Sequence, residues 1–278
     1  MQAVAAMDVQ AFLNANRFSA FQWTVFAICF VVVLLDGFDT AAIGYIAPSL
    51  ITEWGVNRPA LAPALSAALF GLAIGALSSG PLADKFGRKT VLIGSVLIFG
   101  LACLLSAWAG SLNQLVVWRF VTGLGLGAAM PNAVTLTSEY CPEGKRATLT
   151  NAMFCGFPTG AAFGGFLAAW MIPIWGWRSV LILGGTVPLI LIVAMLVALP
   201  ESVRYMVANA YPAERIGRVL SRIHASAASI RAFTMSERAP ATRAGSGIGL
   251  ILSREYIVGS AMLWVAYFFG LVIFYALI

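Results

Sequence analysis

The chain alternates long apolar stretches with short polar ones. A bilayer-crossing helix needs about 20 mostly apolar residues, and seven stretches approach that length. Span 1 runs from Trp23 to Ile46, span 2 from Leu61 to Leu82, and span 3 from Thr90 to Trp108. Span 4 covers Leu112 to Thr137, span 5 Leu149 to Ile172, and span 6 Ser179 to Leu199. Span 7 begins near Tyr256 and is still apolar at Ile278. The pattern predicts an all-α membrane protein. It has an N-terminal segment (1–22), six transmembrane helices (23–199), a polar loop (200–254) and a partial seventh helix (255–278). Six spans, a long basic loop and a new span form the layout of a symmetric transporter passing from its first half to its second. An end inside an apolar span predicts that the sequence is truncated from a longer protein.

Composition supports this class. Only 10% of residues are charged and 60% are hydrophobic, with mean hydropathy +0.90, whereas a soluble domain carries about 25% charged residues. The 27 glycines suit helices that pack closely in a membrane. The net charge of +6 reads as topology, because the basic residues cluster between spans. One side receives Arg17, Lys85, Arg88, Lys89, Lys145, Arg146 and the arginines from Arg204 to Arg254, while the other receives only Arg58 and Arg178. The N-terminus and the long loop are therefore expected in the cytoplasm, in a multi-pass inner (plasma) membrane protein. No aromatic-basic patch points to nucleic acid. Cys29, Cys103, Cys141 and Cys155 lack metal or disulfide spacing, and residues 1–22 lack the basic start of a cleavable signal peptide.

Within the loop, Tyr211 to Ala228 alternates arginines with Ile216, Val219, Leu220 and Ile223, which predicts an amphipathic helix lying on the inner leaflet. Arg238 to Gly249 reads as a flexible linker, and His224 as a solvated residue without a role. Trp23, Trp108, Trp175 and Trp177 fall near span ends, where interfacial belts place tryptophan.

Charges inside spans are costly and mark transport pathways. Asp36 and Asp39 lie three residues apart on span 1 and share a helix face. Asp36 falls roughly 20 Å past Trp23, and Arg119 roughly 10 Å past Leu112 on the antiparallel span 4, so the two reach similar depth in a core about 30 Å thick. Such an acid and base can form a structural ion pair, or can hold a proton and a substrate carboxylate. Two acids with one base favour the second reading, because one carboxylate is left over. Glu139 ends span 4 as either a gate or an interfacial residue satisfied by Lys145 or Arg146. Spans 2, 3, 5 and 6 contain no acidic residue, which leaves a magnesium-dependent membrane enzyme too few ligands. The sequence predicts neither catalytic residues nor a metal site.

Gly80-Pro81-Leu82-Ala83-Asp84-Lys85-Phe86-Gly87-Arg88-Lys89 joins spans 2 and 3. It reads as a short inner loop, with Gly80 permitting close helix contact and Arg88 and Lys89 anchored at the anionic leaflet. This segment resembles the loop signature of the major facilitator superfamily. Asp36-Gly37-Phe38-Asp39-Thr40 with Ala47-Pro48 is similar to the first-helix motif of its aromatic acid:proton symporter family. Arg119-Phe120 with Gly123, Gly125, Gly127, Met130-Pro131-Asn132 and Ser138-Glu139-Tyr140 resembles that family's fourth helix, and Pro200-Glu201-Ser202 its exit from helix six. The resemblance implies a 12-helix parent, of which this chain carries the N-terminal six-helix bundle, made of two three-helix repeats, and a partial seventh helix. It implies proton coupling and substrate handling by Asp36, Asp39, Arg119 and Glu139. It also implies a loop motif of Gly80, Asp84, Gly87, Arg88 and Lys89, with Asp84 and Arg88 as a pair. In that family the loop contacts the opposite half, including its eleventh helix.

The implied activity is uptake of small aromatic carboxylates resembling 4-hydroxybenzoate, driven by a proton gradient without a cofactor. The partners are substrate, proton, lipid bilayer and the missing C-terminal half. A drug:proton antiporter, a symporter of another organic acid and a non-transporting truncated product are the alternatives. Gly156-Phe157-Pro158-Thr159-Gly160 and Gly164-Gly165 on span 5 loosely resemble drug antiporters, but serve equally as a packing face with a proline bend. The fragment is expected to be inactive alone.

Overall fold

A computed structural model describes residues 7–235, Ser253 and residues 256–277. The chain divides into two compact units, Met1–Ser236 and Glu237–Ile278. In the second, one described helix, Ile257–Leu277, covers the expected seventh span. The expected linker over Arg238 to Gly249 lies outside the described residues.

The first unit opens with a two-residue strand β1 (Met7–Asp8) and a short helix α1 (Val9–Ala15). Its long helices are α2 (Ala20–Trp54), α3 (Ala62–Phe86), α4 (Arg88–Ser106) and α5 (Leu112–Glu139). The next expected span is two helices, α6 (Glu143–Phe154) and α7 (Gly156–Trp175). Then come α8 (Arg178–Ala198), α9 (Val203–Ala208), α10 (Ala213–Leu220) and strand β2 (Phe233–Thr234). Five helical stretches among the described residues are long and apolar enough to cross a membrane. Helix α5 has the length, at 28 residues, but buried polar groups such as Arg119 and Asn132 dilute its hydropathy. A helix surrounded by other helices does not need a lipid-facing apolar surface.

The packing repeats itself. Helix α3 packs on α5 as α7 packs on α2; α4 packs on α5 as α8 packs on α2; α4 meets α8 and α2 meets α5. Exchanging α2, α3, α4 with α5, α7, α8 preserves this set, which is the internal symmetry of two three-helix repeats. Glycines allow both close crossings. A Cβ on Gly127 would land on the backbone carbonyl of Leu72 in α3, and one on Gly160 on the backbone carbonyl of Leu34 in α2. Gly127→Val is therefore expected to cost about 3 kcal/mol, because the obstacle is backbone. Gly80→Ala should be neutral or stabilising, since nothing lies within 4 Å of its Cβ position and alanine is the better helix former. Thermal unfolding of the two variants in detergent checks the contrast.

Helix boundaries follow local chemistry. Ser19 and Gln22 form a reciprocal capping box at the start of α2. That helix runs past the expected end at Ile46, through Pro48, and stops at Gly55, which takes φ +63°. Span 5 is broken at Cys155. Pro158 cannot donate to the carbonyl of Phe154, four residues back, and its ring crowds that carbonyl. The expected loop over Gly80 to Lys89 is also corrected: α3 stays helical through Phe86, and Gly87 at φ +89° is the single break before α4.

The core has two apolar clusters. One lies at the basic end and includes Val33, Leu35, Phe99 and Leu126. The other, at the opposite end, includes Phe38, Ala42, Cys103 and Leu115. The charged layer of α2 and α5 falls between them. At the opposite end Trp177 is buried and donates to Glu53 Oε2 (2.6 Å), while Arg178 pairs with Glu53 (2.8 Å). Trp177 is thus part of a clamp, unlike the exposed Trp23, Trp108 and Trp175.

At the basic end, β1 pairs in parallel with β2, and Val9, Phe12 and Leu13 bury themselves in the first cluster. The sequence reading assigned no element there. The expected amphipathic helix over Tyr211 to Ala228 shortens to α10 and a 3-10 turn at Ala225–Ser229. Its Ile216 and Leu220 are buried in the protein's own core, so they are spent before any leaflet could take them. His224 caps that turn by accepting from Ser226 N.

Candidate functional site

Asp36 and Asp39 lie near the middle of α2, and Arg119 in the second turn of α5. All three are buried, at 2%, 0% and 1% exposure. The base chooses Asp39. Arg119 Nη1 donates to Asp39 Oδ1 (3.1 Å) and Oδ2 (2.9 Å), and Nη2 donates to the Asp39 backbone carbonyl (3.1 Å). The matched-depth reading joined Arg119 to Asp36, and the pairing falls one helical turn further along. Charge-assisted bonds of this kind are the strong ones, and in a low-dielectric layer they lock α2 to α5.

Two groups remain unspent in this layer. Arg119 Nε is buried with no hydrogen-bond partner among the described residues. Asp36 has no ion-pair partner among them; its one hydrogen bond among them is from the Thr40 hydroxyl, which donates to Oδ1 at 3.4 Å. The site therefore holds a cationic fork with a free donor and a carboxyl without a counter-ion, one turn apart. Both Asp39 oxygens are engaged by Arg119, so the aspartate pair does not present a chelating set, and no group of three metal-ligating side chains occurs among the described residues.

The remaining candidates gather elsewhere, at the basic end. Arg88 Nε donates to Glu139 Oε1 (3.0 Å), and the Ser202 hydroxyl donates to Glu139 Oε2. Glu139 is thus held by α4 and the start of α9, and Lys145 forms no ion pair with it among the described residues. Gly87 offers no side chain to cap α4, and Glu201 does so across the fold, accepting from Lys89 N (3.1 Å). A Cβ on Gly87 would strike the Glu201 carboxylate. Lys89 Nζ donates to the Leu196 carbonyl (3.0 Å). Arg88 and Lys89 are therefore tied into the protein itself. Asp84 is exposed and has no partner among the described residues, so the expected pair with Arg88 does not form.

Sequence reasoning missed the hub of this network. Tyr140 is buried, donates to the Glu201 carbonyl (2.6 Å), and its own carbonyl accepts from Gln22 Nε2 (2.7 Å). Burial and the nearby Glu139 and Glu201 hold its phenol well above the ordinary tyrosine range, so this donor keeps its proton. The sequence placed Tyr140 only within the Ser138-Glu139-Tyr140 resemblance, with no role of its own.

The Major Facilitator Superfamily model matches residues 29–278. The 4-hydroxybenzoate transporter PcaK of Pseudomonas aeruginosa is 50% identical over 278 residues, all of this chain and 62% of the relative. The gallate transporter of Pseudomonas putida is 44% identical over 271 residues, 98% of this chain and 60% of that protein. The chain thus spans about three fifths of the length of these curated relatives. The inward-open xylose transporter XylE from E. coli superposes with TM-score 0.63 at 22% identity, over 73% of this chain and 52% of that one. This likeness carries the fold alone.

Proposed function

Because this chain belongs to the Major Facilitator Superfamily, and so to a membrane protein, we propose that it supplies the N-terminal six-helix half of a proton-coupled importer of small aromatic carboxylates. One observation carries the proposal: a buried Arg119 with a spare Nε lies one turn from a buried Asp36 without a counter-ion. The substrate carboxylate binds at the free face of the Arg119 fork. Asp36 carries the coupled proton, because a buried carboxyl without a cation can be occluded from water cheaply only when neutral. Asp39 holds Arg119 in place. The Arg88–Glu139–Ser202 network acts apart from the substrate, as a lock at the end that opens and closes. The basic end faces the cytoplasm by the charge asymmetry of the loops, in the inner membrane, and the proton gradient supplies the drive in place of a cofactor. Two relatives are named for 4-hydroxybenzoate and gallate, which favours aromatic acids over the drug-antiporter reading.

Substrate sites in these folds lie between repeats and halves, so this half alone should transport nothing. The test is uptake of labelled 4-hydroxybenzoate by cells. One strain expresses this chain alone; another expresses a chimaera in which it replaces the matching 62% of the P. aeruginosa relative. Uptake by the chimaera that collapses with a protonophore is the expected result, with none from the chain alone. An inserted chimaera that moves no aromatic acid overturns the substrate reading, and gradient-driven uptake by the chain alone overturns the half-transporter reading.

A further inference from the structure

Helix α2 begins at Ala20, directly after Arg17, Phe18 and Ser19, and α6 begins at Glu143 after Pro142. Asn14 accepts from Glu143 N (2.9 Å) and Gln10 accepts from Arg146 Nη2 (2.7 Å), so the N-terminal segment is pinned beside the start of α6. Between them lies an open cavity of about 650 Å³, lined in part by Arg17, Phe18, Trp23, Glu143, Gly144 and Lys145. The Lys145 ammonium sits 5.9 Å from the centre of the Phe18 ring. Arg17 and Lys145 have no carboxylate partner among the described residues, whereas Arg88 at the same end is spent on Glu139 and Arg222 lies over Phe21.

Two further features fix the height of this cavity. Trp23 is 52% exposed and stacks edge-on against Phe18 and Phe26. Exposed tryptophan at the start of a spanning helix marks the headgroup level. The first turn of α6, with Gly144 in it, turns the positive end of its dipole to the cavity. Two cations against the single carboxylate of Glu143 leave a net charge of +1 at the cavity wall. A phosphodiester carries one negative charge and closes that balance.

We propose that this cavity binds the phosphodiester headgroup of an anionic glycerophospholipid, with Arg17 and Lys145 on the phosphate and Trp23 and Phe18 against the start of the acyl chains. The site is separate from the Asp36–Arg119 layer and is independent of the transport proposal. A lipid bound there would bridge α2 and α6, which belong to different three-helix repeats.

The purified 278-residue chain in detergent is titrated with phosphatidylglycerol, and separately with phosphatidylcholine, and bound lipid is counted by native mass spectrometry. Phosphatidylglycerol should be retained in preference, and Arg17→Gln/Lys145→Gln should lower its retention about 30-fold, the weight of two interfacial basic side chains. Lys145→Arg should keep it. Equal retention by wild type and double variant, or equal retention of phosphatidylcholine, overturns the proposal. Inorganic phosphate binding as tightly as the lipid overturns the lipid assignment in favour of a soluble anion. Both side chains are exposed, so helical circular dichroism should be unchanged. If the double variant does not fold, Lys145→Gln alone carries the test, with about a five-fold loss expected and no loss overturning it.

Discussion

Asp39→Asn is expected to lower the unfolding temperature of the purified chain by on the order of 10 °C, through loss of about 3–5 kcal/mol. Arg119 is buried and cannot lose its proton. With Asp39 neutral, its charge stays in the layer between the two apolar clusters without compensation. Asparagine can still accept one hydrogen bond, but it returns little of the Coulomb term. The companion variant separates charge from packing: Asp39→Asn/Arg119→Met removes both charges and should regain most of the lost stability, since a buried pair is often matched by well-packed apolar side chains. In the chimaera with the P. aeruginosa relative, that double variant should remain unable to take up 4-hydroxybenzoate, because no fork is left for the carboxylate. A loss below about 2 °C for the single variant would sink the prediction. It would mean that Arg119 had swung one turn to Asp36, and Asp36→Asn/Asp39→Asn would then show the full loss.

This swap also shows where the sequence was informative and where it was not. Asp36, Asp39 and Arg119 were legible as the charged layer because charges are scarce in apolar spans, and two acids against one base announced a spare carboxyl. Which acid pairs was not legible. The depth arithmetic carries the two-to-four-residue error of any span boundary read from sequence, and the two aspartates lie only three residues apart. Gly55 and Gly87, both with positive φ, end α2 and α3, a local signal that the span boundaries at Ile46 and Leu82 did not use. The spans read at Trp23 to Ile46 and Leu61 to Leu82 stopped short of the helix ends at Trp54 and Phe86, with Pro48 and Pro81 inside the helices. The Arg88–Glu139 contact spans 51 positions, and the Glu201 cap on α4 spans 112; no local pattern encodes either. The N-terminal helix did carry a signal, Asp8 as cap and Val9, Phe12 and Leu13 at helical spacing, but its few residues were outweighed by the spans beside it.

Asp36→Asn should behave in the opposite way to Asp39→Asn. Stability of the purified chain is expected to stay level or rise, because Asp36 holds no ion pair among the described residues and gives up only a 3.4 Å contact from Thr40. An amide of the same shape removes the cost of a buried ionisable group. Net uptake by the chimaera is expected to fall by about 100-fold or more, since a carrier that cannot load its proton cannot use the gradient. Exchange of external labelled 4-hydroxybenzoate for internal unlabelled acid should survive. That step needs the substrate site and the conformational change but no net proton movement, and Arg119 with Asp39 is intact. The two assays divide the roles of the acids. If exchange and net uptake fell together in Asp36→Asn while the protein stayed folded, Asp36 would be part of substrate binding and the proton would have to ride elsewhere. If both persisted, Asp36 would be a passenger in the layer, and the free carboxyl would not be the coupling group.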